Sequence, residues 1–158
     1  MLKNLSKILI ISGLVFLMAC KDNSLSRQIE MMQKRVDVVE NQVEVLYTQD
    51  FSYLVSEYSA LDTTVATTKD IHEEMYLLQA YLQQFETQRV MILENVEISR
   101  KQLSNLKDDV KNHIYDDEMT SKYIQDEEKE LHTMEAQVKY FQDRFDAQKE
   151  VVKQLRKE

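Results

Sequence analysis

The near absence of glycine and proline restricts the fold of this chain more than any other feature. Its 158 residues include no proline and one glycine, Gly13. Tight hairpin turns rely on glycine or asparagine at positive φ, and phosphate-cradling loops are rich in glycine. Helices tolerate such a composition best. The sequence therefore predicts an all-α fold and argues against sandwiches, barrels and phosphate-binding loops.

Apolar residues after position 24 recur three and four residues apart, as in helices that pack in coiled-coil-like bundles. Such stripes predict three long helices, at about residues 25–60, 70–112 and 119–157. At about 1.5 Å of rise per residue, these helices would be roughly 50–65 Å long. We expect one domain over residues 25–158, an elongated antiparallel bundle of three helices.

Two alternatives to this architecture are open. The turn predicted at 62–70 rests on a run of poor helix formers, so the first two helices could instead be continuous. The apolar stripe of the first helix is narrow, which also allows a two-helix hairpin whose first helix pairs with another protomer. Within the bundle, Leu77, Met91 and Ile98 are expected to accept the first helix.

Polar residues interrupt the stripes at a few positions. Asp50 falls on an a position, and the stripe resumes one residue later at Phe51, which predicts a local unwinding of the supercoil. Folding the chain about residue 117 brings Arg89 onto Phe145. We expect Asp50, Arg89 and Gln148 to fix helix register rather than to bind a ligand.

Helix caps are predicted from hydroxyl side chains at the starts of two helices. Thr67 or Thr68 could cap the second helix, and Thr120 or Ser121 the third.

The N-terminus has the features of a signal peptide. Lys3 and Lys7 precede an apolar run from Ile8 to Ala19. A helix needs about 20 residues to cross a bilayer, and this run is shorter. A cleavable signal peptide is therefore favoured over a transmembrane anchor.

The sequence Leu17-Met18-Ala19-Cys20 resembles the lipobox of bacterial lipoproteins, although a small residue is more usual than methionine two residues before the cysteine. The resemblance implies diacylglycerol transfer to Cys20 and removal of a signal peptide, residues 1–19. Cys20 is the sole cysteine, so no intramolecular disulfide can form. Residues 20–24 would then be a lipidated tether, and two or more acyl chains give stable anchoring.

Lys21 and Asp22 resemble, imperfectly, the sorting signal of some Bacteroidota lipoproteins, since Asn23 stands where a second acid is expected. The aspartate that directly follows the cysteine in lipoproteins retained in the inner membrane of enterobacteria is absent. The resemblance implies an outer-membrane location, on either the periplasmic or the exterior face.

The charge balance disfavours nucleic acid as a partner. The chain carries a net charge of −8, and loss of the predicted signal peptide removes two lysines, leaving −10. An acidic protein repels the phosphate backbone.

No motif predicts a catalytic residue, a metal site or a cofactor. His72-Glu73-Glu74-Met75-Tyr76 begins like a zinc-protease helix, but tyrosine replaces its second histidine. The acidic run 116–118 lacks the glycine and spacing of a calcium loop. The eight tyrosines are expected mainly to cover helix seams, or else to contact a partner. They are Tyr47, Tyr53, Tyr58, Tyr76, Tyr81, Tyr115, Tyr123 and Tyr140.

These features predict a non-enzymatic, lipid-anchored envelope protein that acts as a spacer, a scaffold or a protein-binding module. Its expected partners are the membrane and either another protein or a second copy. The alternative is an adaptor or regulator of an envelope enzyme or transporter, which it would contact through a hairpin tip near 112–120 or 60–70. An enzyme would need a pocket with converging polar groups.

Overall fold

A computed structural model describes the backbone of residues 2–60 and 69–155 and the side chains of residues 24–60 and 72–154. The described backbone is almost entirely helical and contains no strand, which confirms the all-α prediction. Its elements are α1 (Leu2–Val45), a π-helical turn (Leu46–Phe51), α2 (Ser52–Ala60), α3 (Lys69–Lys111) and α4 (Asp117–Leu155). Most of the turn expected at 62–70, with Thr67 and Thr68, lies outside the described residues.

The helices form one three-helix bundle within the chain. The bent first helix, from α1 through α2, packs against both α3 and α4. Ion pairs show the directions, since Lys107 near the end of α3 reaches Glu30 near the first described side chains of α1. α3 is thus antiparallel to α1, and α4 returns parallel to α1. The bundle prediction is confirmed, and the structure does not show the two-helix hairpin alternative.

The predicted a/d stripes form the buried core. In the first helix, residues from Ile29 to Leu54 at this spacing are buried apart from Asp50, and α3 and α4 bury their stripes in the same way. Burial of apolar surface at about 25 cal/mol per Å² is the main term that holds such helices together. The periodicity therefore identified the interior correctly.

Four phenylalanines meet in one layer of the bundle. The ring of Phe85 lies 5.6 Å from Phe51, 5.1 Å from Phe141 and 4.9 Å from Phe145, between ring centroids. These are all the phenylalanines that follow residue 20. Phe85 from α3 thus connects the first helix to α4.

The register change at Asp50 is absorbed by the π-helical turn. The stripe gains one residue between Leu46 and Phe51, and a wider turn takes up one extra residue while both apolar segments still face the core. The Ser52 hydroxyl donates to the Tyr47 carbonyl oxygen, 2.9 Å away and five residues back. The expected unwinding is therefore concentrated in a single bulge.

The chain reverses direction between α3 and α4 over residues 112–116, earlier than the reversal predicted at residue 117. His113 adopts a left-handed φ of 53°, and the Met119 N–H donates to Asp116 Oδ1 at 2.8 Å. Asp116 therefore caps α4, so the predicted caps Thr120 and Ser121 were wrong. A short acidic side chain directly before the first helical turn satisfies its free N–H groups better than a hydroxyl inside the helix.

The earlier turn changes which side chains meet. Phe145 contacts Phe85, one helical turn before Arg89 along α3, and the Arg89 guanidinium lies 4.0 Å from the Tyr47 ring centre instead. The side of α3 expected to accept the first helix is largely exposed, including Met91 and Ile98. The predicted contact of Arg89 with Phe145 and the predicted packing of this side of α3 against the first helix were wrong. The reason is that α3 is rotated so that its main apolar stripe faces the other helices.

Candidate functional site

The predicted lipidation site adjoins the packed bundle. Leu17, Met18, Ala19, Cys20, Lys21 and Asp22 fall within α1, and their side chains lie outside the described residues. Leu25, five residues after Cys20, is partly buried against the core. Five residues of helix correspond to about 8 Å. An anchor on Cys20 would therefore hold the bundle close to the membrane.

Parallel packing of α1 and α4 shows which end of the bundle lies near Cys20. Leu25 and Ile124 line the same groove, and further along Asp50 pairs with Lys149 at 2.6 Å. The turn between α3 and α4 comes just before Ile124. It therefore lies at the same end as Cys20, and the end of α2 and the start of α3 lie at the far end.

Arg35 connects α1 to α4 through two carboxylates. Its Nε and Nη2 each donate to one oxygen of Glu135 at 2.8 Å, and its Nη1 pairs with Glu128. This guanidinium lowers the pKa of Glu135, and Glu135 in turn raises the pKa of Arg35. His132 lies 3.3 Å from the same two carboxylates. Because Arg35 and its two carboxylates are about one-third exposed and His132 about two-thirds, the network stabilises the bundle by only about 1 kcal/mol.

Ion pairs also fasten α1 to α3. Arg100 contacts Asp37 at 3.0 Å and Glu40 at 2.8 Å, and Lys107 contacts Glu30 at 2.9 Å. The Lys107 hydrogen bond lowers the pKa of Glu30. Together with the Arg35 network, these contacts fix the helix that carries Cys20 to both of its neighbours.

Two of the three polar seam residues form ion pairs between helices. Arg89 pairs with Glu44 at 2.8 Å, and Asp50 is held by Lys149. Burial opposes the charge of Lys149, but Asp50 and Asp146 outweigh it and raise its pKa. Gln148 is buried. Asp50 and Arg89 thus make specific contacts between helices.

An open groove of about 570 Å³ runs between α3 and α4. Most of its lining is uncharged: Gln84, Gln88, Thr133, Ala136, Gln137, Tyr140 and Phe141. Beside it, the Arg144 guanidinium lies 5.2 Å from the Tyr81 ring centre and 5.3 Å from that of Tyr140. Depletion of charge with exposed aromatic surface is typical of contacts with other proteins. The sequence reasoning missed this groove, although neutral residues recur at its positions.

The tyrosines divide between helix seams and the surface. Tyr47, Tyr58 and Tyr123 pack partly buried against the core, whereas the exposed tyrosines are Tyr53, Tyr76, Tyr115 and Tyr140. Tyr47 stacks on Phe51 with ring centres 5.3 Å apart, and Tyr115 meets Tyr123 edge-on at 5.1 Å. Tyr76 has the largest exposed fraction of the four exposed tyrosines, 71%, so the expectation that tyrosines cover helix seams holds for only part of the set.

The structure brings no constellation for metal chemistry together among the residues it describes. No group of three histidine, cysteine, aspartate or glutamate side chains there could hold a metal ion. His72 lies near the start of α3, His113 in the turn and His132 on α4. In the same part of the chain, no helix is both long and apolar enough to cross a membrane.

Comparisons with protein-family models, with curated proteins and with solved structures find no match to this chain.

Proposed function

We propose that the chain is a lipid-anchored spacer or scaffold of the bacterial cell envelope, attached through an acylated Cys20. One observation carries the proposal: Leu25 packs against the core only five residues after Cys20. With so short a tether, the position of the bundle follows the position of the anchor. The lipobox resemblance supplies the anchor, and Lys21 with Asp22 favours the outer membrane.

The length of the bundle suits a spacer. α3 contains 43 residues and α4 contains 39. At about 1.5 Å per residue these helices extend for roughly 60 Å. Ion pairs of Arg35, Arg100 and Lys107 hold the anchored helix against both neighbours. The far end of the rod would thus stay at a nearly fixed distance from the lipid.

Metabolic labelling with palmitate tests the anchor. The wild-type chain in a bacterial host is expected to incorporate label and to fractionate with membranes. Cys20→Ala is expected to lose both, while a serine-to-alanine change at the exposed Ser24 keeps both. Equal labelling of wild type and Cys20→Ala would refute acylation at this residue.

Energy transfer to a dye in the bilayer tests the spacer. Acylation blocks the thiol of Cys20, so a cysteine introduced elsewhere is the sole free thiol for labelling. Tyr76→Cys lies about 50 Å of helix rise from the α3–α4 turn, whereas Lys122→Cys lies near it. We expect strong transfer from position 122 and weak transfer from position 76. Equal transfer from both would mean that the rod lies flat, which contradicts a spacer.

The second candidate function is an adaptor or regulator of an envelope enzyme or transporter. The 112–120 tip lies at the Cys20 end, whereas the end of α2 and the start of α3 lie away from it, which favours the 60–70 region for this role. Residues 61–68 of that region lie outside the described residues. Proximity labelling from Tyr76→Cys in whole cells, with Lys122→Cys as control, distinguishes an adaptor from a passive spacer. A protein captured reproducibly from position 76 alone would support the adaptor, and no reproducible neighbour would rule it out.

A further inference from the structure

The turn between α3 and α4 exposes apolar side chains at the Cys20 end of the bundle. Ile114 is 58% exposed, Tyr115 41% and Met119 43%. They stand close together along the chain, on the turn and the first helical residues after it. Large apolar side chains exposed together on one short segment make that segment a candidate interaction site.

The level of this turn relative to the anchor follows from the parallel packing of α1 and α4. One groove is lined by α1 from Leu25 to Arg35 and by α4 from Ser121 to Glu128, so these two stretches lie side by side. Cys20 is five residues before Leu25, and Met119 is five residues before Ile124. Each step back is about 8 Å of helix. Cys20 and Met119 therefore both lie just beyond this groove, at the same end of the bundle.

We propose that Ile114, Tyr115 and Met119 form a second membrane contact, which dips into the lipid interface beside the acyl chains of Cys20. This inference rests on the proposed lipid anchor. Aromatic and apolar side chains suit the boundary between headgroups and acyl chains. A second contact on a neighbouring helix would act together with the acyl chains to hold the rod upright.

The charges around the turn predict which lipid it prefers. Lys111 and Lys122 flank it, but Asp116, Asp117 and Glu118 give it an acidic balance. Anionic headgroups would repel the net negative charge of the turn within a Debye length. The contact should therefore be closest on a zwitterionic surface such as phosphatidylcholine and weaker on phosphatidylglycerol.

Tryptophan fluorescence tests the contact directly, because the chain has no tryptophan of its own. Acylated full-length Ile114→Trp and a control, Tyr76→Trp, are reconstituted on phosphatidylcholine vesicles containing brominated lipid. We expect the emission at position 114 to shift to the blue and to be quenched. The emission at position 76 should remain that of a water-exposed indole.

The outcomes separate this inference from the anchor. Protein that fails to float with the vesicles would overturn the anchor and the contact together. Protein that floats while the indole at 114 stays unquenched would overturn the contact alone. A blue shift at 114 without vesicles, growing with protein concentration, would assign the patch to a second copy and also overturn the proposal.

A double variant, Ile114→Ser with Met119→Ser, supplies a readout that keeps the native tyrosine. Acylated variant should still float, but energy transfer from Lys122→Cys to the bilayer dye should fall relative to the parent. Unchanged transfer would show that the two side chains do not hold this end on the lipid.

Discussion

Phe85 connects the three helices within one layer of the core, since its ring contacts Phe51 of the first helix and both Phe141 and Phe145 of α4. It is fully buried. Truncating a buried phenylalanine removes its transfer free energy and leaves a cavity.

We expect Phe85→Ala to lower the free energy of unfolding by about 3–5 kcal/mol in urea titrations. Phe85→Leu keeps most of the volume and should cost no more than about 1.5 kcal/mol. The exposed Tyr76→Ala serves as a control and should change stability by less than about 0.5 kcal/mol. If Phe85→Ala unfolded at the urea concentration of Tyr76→Ala, the aromatic layer would not be a central part of the core.

Glu127 is a second informative residue, because its carboxylate is half-buried among like charges. Its Oε2 is buried without a hydrogen-bond partner. Burial raises the pKa of Glu127 above the usual 4.5, and Glu130 and Asp126 raise it further. The folded state therefore binds this proton more tightly than the unfolded chain does. The carboxyl stabilises the fold least when it is ionised, so its contribution falls as pH rises through its folded pKa.

Glu127→Gln should raise the free energy of unfolding at pH 7 by about 0.5–1 kcal/mol, since it removes an ionised group that lacks a partner. This gain in unfolding free energy should disappear as the pH falls below 4.5, the usual pKa of a glutamate. The exposed Glu86→Gln on α3 controls for a general change in net charge. A loss of stability at pH 7 in chemical denaturation would show that the charge of Glu127 is favourable.

At the scale of elements, local patterns predicted some features and missed others. The buried stripes followed from spacing alone, because a helix presents every third or fourth residue to one side. The α4 cap was missed because Asp116, Thr120 and Ser121 all have suitable side chains, and the choice depends on where the turn ends. The partner of Arg89 was missed for the same reason. An earlier turn shifts α3 along α4, so that Phe85 rather than Arg89 lies beside Phe145.

The π-helical turn gives an element-scale prediction. Deleting the exposed Gln49 removes the extra residue, so one regular α-helix could carry the whole stripe. We expect Gln49 deletion to keep the helical circular dichroism and to change the free energy of unfolding by about 1 kcal/mol or less.

Deletion of Asn41, another exposed amide on the same helix, is the matched comparison. It rotates the preceding stripe by about 100° relative to the core, and should cost more than about 3 kcal/mol. Equal effects of the two deletions would show that the π-helical turn does not absorb the register change.

At the scale of the whole molecule, the sequence predicted the number and direction of the helices but not every surface. The narrow stripe of the first helix left open whether it pairs within the chain or with another protomer. Contacts near both ends of that helix lie within one chain, since Glu30 pairs with Lys107 and Asp50 with Lys149. The mostly uncharged α3–α4 groove had no signature in the stripes, because it forms only when the two helices lie side by side.

A bundle closed within one chain predicts a monomeric rod. The residues from Ser24 onward, purified without the anchor segment, should scatter X-rays as a monomer with a maximum dimension of about 65–75 Å, set by the helix lengths. The first helix already buries its stripe against α3 and α4, so no second copy is needed to cover it. Arg35→Ala weakens the α1–α4 contact by about 1 kcal/mol and should leave the monomer intact. A particle of twice the mass that Arg35→Ala dissociates would mean that the first helix crosses between chains.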